Sequence, residues 1–484
     1  MPDTATTSLR RDMGLWAAMS IVVGTVIGSG IFIVPKTMIL QVGSPGMVLL
    51  VWVFGGLLTL AGALTYAELA AMMPEAGGEY VYLKAAYGPF CGFVYGWAQM
   101  WVAKSASVAT LATGFYLYLA NFVPALGRVV ARIPLPSGAG GAPLAVHWGP
   151  ILFSLDWLAV EPGSLLVIRA GQLFAMVLIF GLGFINWLGV RQGAGVQVSA
   201  TVLKVALLAA IIGCGLFLGA AHADNFATAV PAPGGVAGFF AALVAALWAY
   251  DGWNNVGMVS GEIRNPQRNL PWALVLGTTF VMLIYIAANI AYFAVLPASA
   301  VAASDRVPAE MMRRLFGSPG AAAVSLVALI SIFAALNGSI LSGSRVPYAL
   351  ARDGYFFRSF ARVHPQRHVP GFSILALSAW SAVLVLSGRY DQLFTLVIFP
   401  SWILYGMATA SVLVLRRKCP ALPRPYRTLG YPVVPIVFVL VAALFLGFTL
   451  KNSPRESILG LILIAAGVPF YRNWKRRLRE STRI

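Results

Sequence analysis

The chain has 484 residues, of which 59% are hydrophobic and only 10% charged, with a mean hydropathy of +0.81 and a net charge of +18. That balance excludes a set of soluble domains and defines an integral membrane protein. The positive charge does not point to nucleic acid, because it follows a membrane. With the N-terminus inside, 22 of the 34 basic residues fall on the cytoplasmic side, 10 outside and 2 within spans, as the positive-inside rule requires.

Apolar stretches of about 20 residues, enough to cross the hydrocarbon core as helices, predict twelve spans. They run roughly 14–36, 46–72, 91–123, 170–190, 197–220, 236–259, 272–296, 319–343, 370–387, 391–415, 432–450 and 457–471. The first follows Arg10 and Arg11 and lacks a small-residue cleavage site, so it reads as a span and not a signal peptide. It contains GTVIGSG at 24–30, three glycines in seven residues. Glu68, near the inner end of the second span, reads as an interfacial carboxylate. Lys104 in the third is a membrane lysine with its role open. The outer loop at about 124–169 carries RIPLPSGAGGAPL, a composition that suggests disorder.

Lys204 lies in the middle of the apolar fifth span, where an ammonium must be paired or solvated. Snorkelling to a headgroup is the alternative. The sixth span is interrupted by AYDGWNN at 249–255, five helices after the first interruption. An odd number of spans between equivalent breaks is the mark of an inverted repeat, and paired breaks point to a transporter's binding site near the midplane. Repeat one would cover about 14–220, repeat two about 236–415, with two appended helices at about 432–471 and a single transporter domain over 1–484. Glycine permits non-helical backbone and close ligand approach. The freed N–H groups of one half-helix suit a carboxylate, and the freed carbonyls of the other suit an ammonium. The alternative for each stretch is glycine that only permits tight helix packing.

Basic runs at 416–427 and 472–479, with Arg345, Arg352, Arg358, Arg362 and Arg367 in another inner loop, read as orientation signals in contact with anionic lipid. Cys91, Cys214 and Cys419 imply no disulfide framework. The four histidines fall in predicted loops without metal-ligand spacing, so no metal or cofactor is expected.

Four stretches, GTVIGSGIFIVP (24–35), LTYAELAAMMPEAGGEYVYLKAAYG (64–88), LWAYDGWNNVGMVSGEIRNPQRNLP (247–271) and LNGSILSGSRVPYALARDGYFFRSFARVHPQRHVP (336–370), resemble the amino acid/polyamine/organocation permeases. The nearest group is the L-type amino acid transporters and their bacterial relatives. The resemblance spans essentially the whole chain. It implies an all-α membrane protein of 12 transmembrane helices, with a LeuT-like 5+5 inverted repeat in which helices 1 and 6 are unwound. It also implies alternating access around one amino acid, the termini being cytoplasmic and the cell membrane, as a bacterial inner membrane, being the address.

Position by position, the resemblance assigns the substrate carboxylate to the N–H groups of Ser29, Gly30 and Ile31, with a bond from the Ser29 hydroxyl. It assigns the amine to the carbonyls of Val26, Trp248 and Asp251. Trp248 becomes the outer gate, its alternative being a bundle-core aromatic. Asn254 holds the unwound turn, and Lys204 takes the place of a sodium ion. Asp251 either caps the second half of helix six or meets a cationic substrate side chain. Ser339, Ser401 and Trp402 are candidates for the side-chain pocket. Animal light chains of this group join a heavy chain through a cysteine in the loop between helices three and four. Here 124–169 has none, so no disulfide-linked heavy chain is expected.

The implied function is sodium-independent exchange of neutral amino acids. A proton-coupled symporter, or an exchanger that also takes cationic amino acids, is the alternative, and Lys204 does not decide between exchange and symport. An enzyme is not expected, since 16 scattered acidic residues and unclustered histidines form no catalytic constellation.

Overall fold

The computed structural model of the chain describes residues 8–134, 145–148, 151–154, 165–219, 223–386, 390–452 and 454–481. Helices dominate. Among the described residues, eight are long and apolar enough to cross a membrane, or nine when the bent pair α1 (Leu15–Val26) and α2 (Gly30–Val42) is taken as one span. Twelve such stretches were expected. The predicted sixth and ninth spans are represented by shorter apolar helices, α9 (Gly235–Ala249) and α15 (Gly371–Leu386). The third is built from α5 (Pro89–Ala98), one wide π-helical turn at Gln99–Ala103 and α6 (Lys104–Leu119).

Between α1 and α2 the axis bends by 43°. Both halves sit at the centre. α1 packs on α8 (Val190–Gly213), α11 (Pro266–Val295) and α13 (Val307–Gly343), and α2 packs on α9. After α9 the chain makes a non-helical turn and then one short helix, α10 (Asn255–Met258). α3 (Pro45–Met72) lies along α11 and α9, and α16 (Tyr390–Lys418) closes against α4 (Glu79–Tyr87), α6 and α17 (Val433–Asn452).

The glycines of the first break act through their smallness. None of Gly24, Gly28 and Gly30 has positive φ. A Cβ on Gly24 would stand 2.0 Å from Gln197 Nε2, and one on Gly30 would stand 2.8 Å from Ala249 Cβ. Close packing therefore explains these two, while Gly28 has nothing nearer than 3.9 Å. Gly252 in the second break is different: its φ of +104° favours glycine.

Several polar residues lie deeper than their sequence context suggests. Glu68 is buried, not interfacial. It receives both Arg416 N–H groups (2.9 and 2.7 Å) and the Thr428 backbone N–H and hydroxyl (2.7 and 2.8 Å). The basic run at 416–427 thus contributes an internal clasp as well as surface charge. Arg345, placed by sequence in an inner loop, is fully buried at the start of α14 (Arg345–Arg352). It grips Glu262 with two bonds of 3.0 and 2.9 Å and also donates to the Leu341 carbonyl. The adjacent Glu262 carbonyl accepts from Met13 N, and Arg264 N donates back to Met13 O, so the N-terminal segment is stitched to the same corner. In the outer loop, where disorder was expected, two antiparallel pairs form, Val129–Pro134 with Leu165–Arg169 and Ala145–Trp148 with Ile151–Ser154. The remainder of its glycine- and proline-rich stretch lies outside the described residues, as does His222.

A carboxylate and guanidinium that are both 0% exposed stabilise only as a pair. Glu262→Gln is expected to cost about 3–5 kcal/mol, read as a lowered Tm of the detergent-purified protein. The double variant Glu262→Gln/Arg345→Met should lose clearly less than the single one.

Candidate substrate site

An interrupted helix leaves carbonyls without partners at the end of its first half and N–H groups at the start of its second. At the end of α1 the carbonyls of Gly24, Ile27 and Gly28 are filled from neighbouring helices. Lys204 Nζ donates to Gly24 O (2.7 Å) and Ile27 O (2.5 Å), and Ser331 Oγ on α13 lies 2.9 Å from Ile27 O and 3.0 Å from Gly28 O. In an unbroken helix the N–H groups of Gly28 and Ile31 would take those two carbonyls. Here Gly28 N turns back to Val26 O at 2.8 Å. The ammonium is 1% exposed and sits at a helix C-terminus, where the backbone dipole favours a cation. It does not snorkel. Further back, Gln197 and Thr201 both bond Ser20 O, holding α1 to the same face of α8.

The start of α2 is the complement. Among the described residues no acceptor meets the N–H groups of Ser29, Gly30 or Ile31, and Ser29 makes no capping bond with its side chain. Ser29 and Gly30 line an internal cavity of about 110 Å³, whereas the Ile31 side chain is buried in the core.

The second break faces the first across this cavity. Thr25 Oγ1 lies 2.9 Å from Gly252 O, and Tyr285 OH lies 3.0 Å from Val26 O and 2.9 Å from Ala249 O, so one hydroxyl from α11 touches both interruptions. Of the three carbonyls expected to hold an amine, Val26 O is met by Tyr285 and Gly28 N, and Trp248 O by the N–H groups of Asp251 and Tyr250. Among the described residues no donor meets Asp251 O. The Asp251 carboxylate does not cap α10. It lines the cavity and accepts from Tyr405 OH at 3.0 Å.

The rest of the lining comes from α6, α9, α13 and α16. The expected Trp248, Ser339, Ser401 and Trp402 are all on it. Trp248 is half-buried at the end of α9. Lys104 is on it too, its stem against Gly343 and its ammonium 2.7 Å from Asn255 Oδ1 at the start of α10. Asp251 and Lys104 therefore put one charge of each sign on the wall. Ser107 and Thr110 add hydroxyls.

Lys204 and Asn254 stand behind the wall. Asn254 donates its amide to Glu79, which also accepts from Tyr95 OH at 2.8 Å and is fully buried. Glu79, Tyr285, Tyr405 and Ser331 were missed in the sequence. Glu79 had a signal, since an acidic residue follows the two glycines of EAGGEY in a quoted motif. The tyrosines and the serine are ordinary within apolar helices and carry none.

Comparison with known proteins follows the same lines. The family model described as amino acid permease matches residues 13–466. The chain is 31% identical to the serine/threonine exchanger SteT of Bacillus subtilis, over 98% of this chain and 99% of that one. It is 30% identical to the human b(0,+)-type amino acid transporter 1, covering 96% and 88%, and 28% identical to the human cystine/glutamate transporter, covering 97% and 86%. With its apolar helices and a match across nearly its full length, the chain belongs to the amino acid permease family.

Proposed function

We propose that the protein is a sodium-independent exchanger of small neutral L-amino acids, with twelve spans, two inverted repeats of five and unwound first and sixth helices. One observation carries this reading. The carbonyls of Gly24, Val26, Ile27 and Gly28 at the first break are satisfied from within, while its N–H groups are unmet beside a cavity. Such an end accepts a carboxylate. The substrate amine then meets the carboxylate and the unmet carbonyl of Asp251, so that one zwitterion joins two half-helices otherwise linked through Thr25 and Tyr285.

The volume and the hydroxyls of Ser29, Ser107, Thr110, Ser339 and Ser401 suit a small neutral side chain. A relative that exchanges serine and threonine agrees with that choice. Asp251 keeps a cationic side chain within reach, and Lys104 balances it when the substrate is neutral.

In the cycle, substrate orders both half-helix ends and Trp248 closes over it. The bundle containing the two breaks then rocks against the remaining helices, and the opposite side opens. Lys204 holds the end of α1 in either coupling mode, and exchange is favoured by the relatives that are exchangers. The surplus of basic residues on one side supports cytoplasmic termini in a cell membrane. The absence of cysteine from 124–169 supports function without a disulfide-linked heavy chain.

Uptake of labelled L-serine by reconstituted vesicles tests the reading. Uptake into vesicles preloaded with unlabelled serine, unchanged by removing sodium or imposing a proton gradient, is the expected result. Concentrative uptake into empty vesicles driven by external acid would establish symport instead.

Lys204→Ala removes two charge-assisted bonds worth about 1.5–3 kcal/mol each. Exchange should fall at least roughly tenfold while the protein stays monodisperse. Unchanged kinetics would remove Lys204 from the mechanism. Gly30→Ala drives a methyl against both the side chain and the backbone of Ala249 and should abolish most exchange. Trp248→Ala should slow occlusion of bound substrate more than it lowers Tm.

A further inference from the structure

The last helix, α19 (Val468–Ser481), continues the apolar α18 (Pro454–Ala465) past a two-residue turn, the two forming one apolar-to-basic run over Ser457–Glu480. Its two sides differ sharply. Arg472, Lys475, Arg476, Arg477 and Arg479 are all exposed, against a single carboxylate, Glu480. Tyr471 and Trp474 are buried.

The buried side rests on two other parts of the chain. Tyr471 stacks on Tyr355 at 5.6 Å, and Trp474 meets Phe356 and Phe357 at 5.5 and 5.3 Å. Phe93 on α5 lies 5.3 Å from Tyr471. Leu478 closes on Gly354, whose φ of +80° favours glycine and where a Cβ would stand 2.5 Å from the leucine. α19 is therefore the cover of the segment that follows α14, at 354–361.

That segment leads to the cavity in few steps. Phe356 lies 6.4 Å from Trp101 in the π-helical turn, and Lys104, just beyond that turn, holds Asn255 of the second break.

A dense group of cations immediately beyond a membrane span is matched by the phosphodiester headgroups of anionic lipid. The exposed aromatics beside it, Phe470 and Phe357, belong to the same interfacial layer. Resting on the reading of the protein as a transporter, we propose that the 472–479 run binds anionic lipid headgroups, and that this binding holds α19 against the 354–361 segment and raises the transport rate. Lipid bound on the exposed side costs none of the aromatic contacts on the buried side, so the same helix serves both.

The experiment compares exchange in phosphatidylcholine vesicles with exchange in vesicles in which roughly a third of the lipid is phosphatidylglycerol. The variant carries Arg472, Lys475, Arg476, Arg477 and Arg479 each changed to Gln. Wild type should transport roughly threefold faster or more with the anionic lipid, given five cations at the headgroup layer, and the variant should not respond. For wild type the gain should vanish at about 1 M salt, where screening shortens to about 3 Å. This arm needs no mutation and holds even if the variant folds poorly.

A variant that responds as wild type does, or a wild-type gain that survives high salt, overturns the inference. Wild-type transport indifferent to phosphatidylglycerol overturns it as well, while leaving the transport reading standing. No transport in any lipid overturns both.

Discussion

A helix broken in the middle of a membrane has no water to satisfy the backbone it exposes, and the rest of this structure is organised by that constraint. The four carbonyls and N–H groups that a break releases would each cost several kcal/mol in hydrocarbon. Here the carbonyl end is closed by an ammonium and a hydroxyl from two different helices, Lys204 and Ser331. What stays unmet is the N–H end, and it borders the cavity. Unmet N–H groups at the start of a helix beside a cavity are the kind of helix end that accepts an anion.

The same economy shapes the second break. Tyr285 touches a carbonyl from each interruption, Thr25 reaches across to Gly252, Asn254 is held from behind the wall by Glu79, and Asn255 is held on the wall by Lys104. Both breaks are thus tied to helices around them as well as to each other. A ligand shifts a protein between two conformations only by as much as it binds one better than the other, so contacts made to both breaks at once are the kind that could do so. Away from the cavity, the Glu68–Arg416 and Glu262–Arg345 pairs pin the ends of α3, α16 and α14.

The breaks themselves were legible in the sequence because glycine clusters and an intramembrane lysine are rare events against an apolar background. Their position, and part of the cavity wall including Trp248, Ser339, Ser401 and Trp402, followed from motifs in the right order. The use of each glycine was not legible. Gly24 and Gly30 serve close packing and only Gly252 needs its φ, a distinction that depends on what stands opposite in space. Charge was misread for a related reason. Arg345 and Glu68 lie near predicted span ends, where sequence favours the interface, but a partner brought from hundreds of residues away, or from the next inner corner, lets each be buried. Tyr285 and Tyr405 were invisible because a tyrosine in an apolar helix announces nothing until its hydroxyl has a neighbour.

In the proposed binding mode a zwitterion bridges the two breaks, with its carboxylate at the start of α2 and its amine at the turn after α9. The most direct test of that mode is ligand-induced stabilisation of the purified protein by L-serine, by L-serine methyl ester and by the deaminated acid, 3-hydroxypropanoate. Stabilisation by serine alone, lost when either charged end is removed, is the predicted result. An ester that stabilises as well as serine would contradict it, because the N–H groups of Ser29, Gly30 and Ile31 would then not be reading a carboxylate.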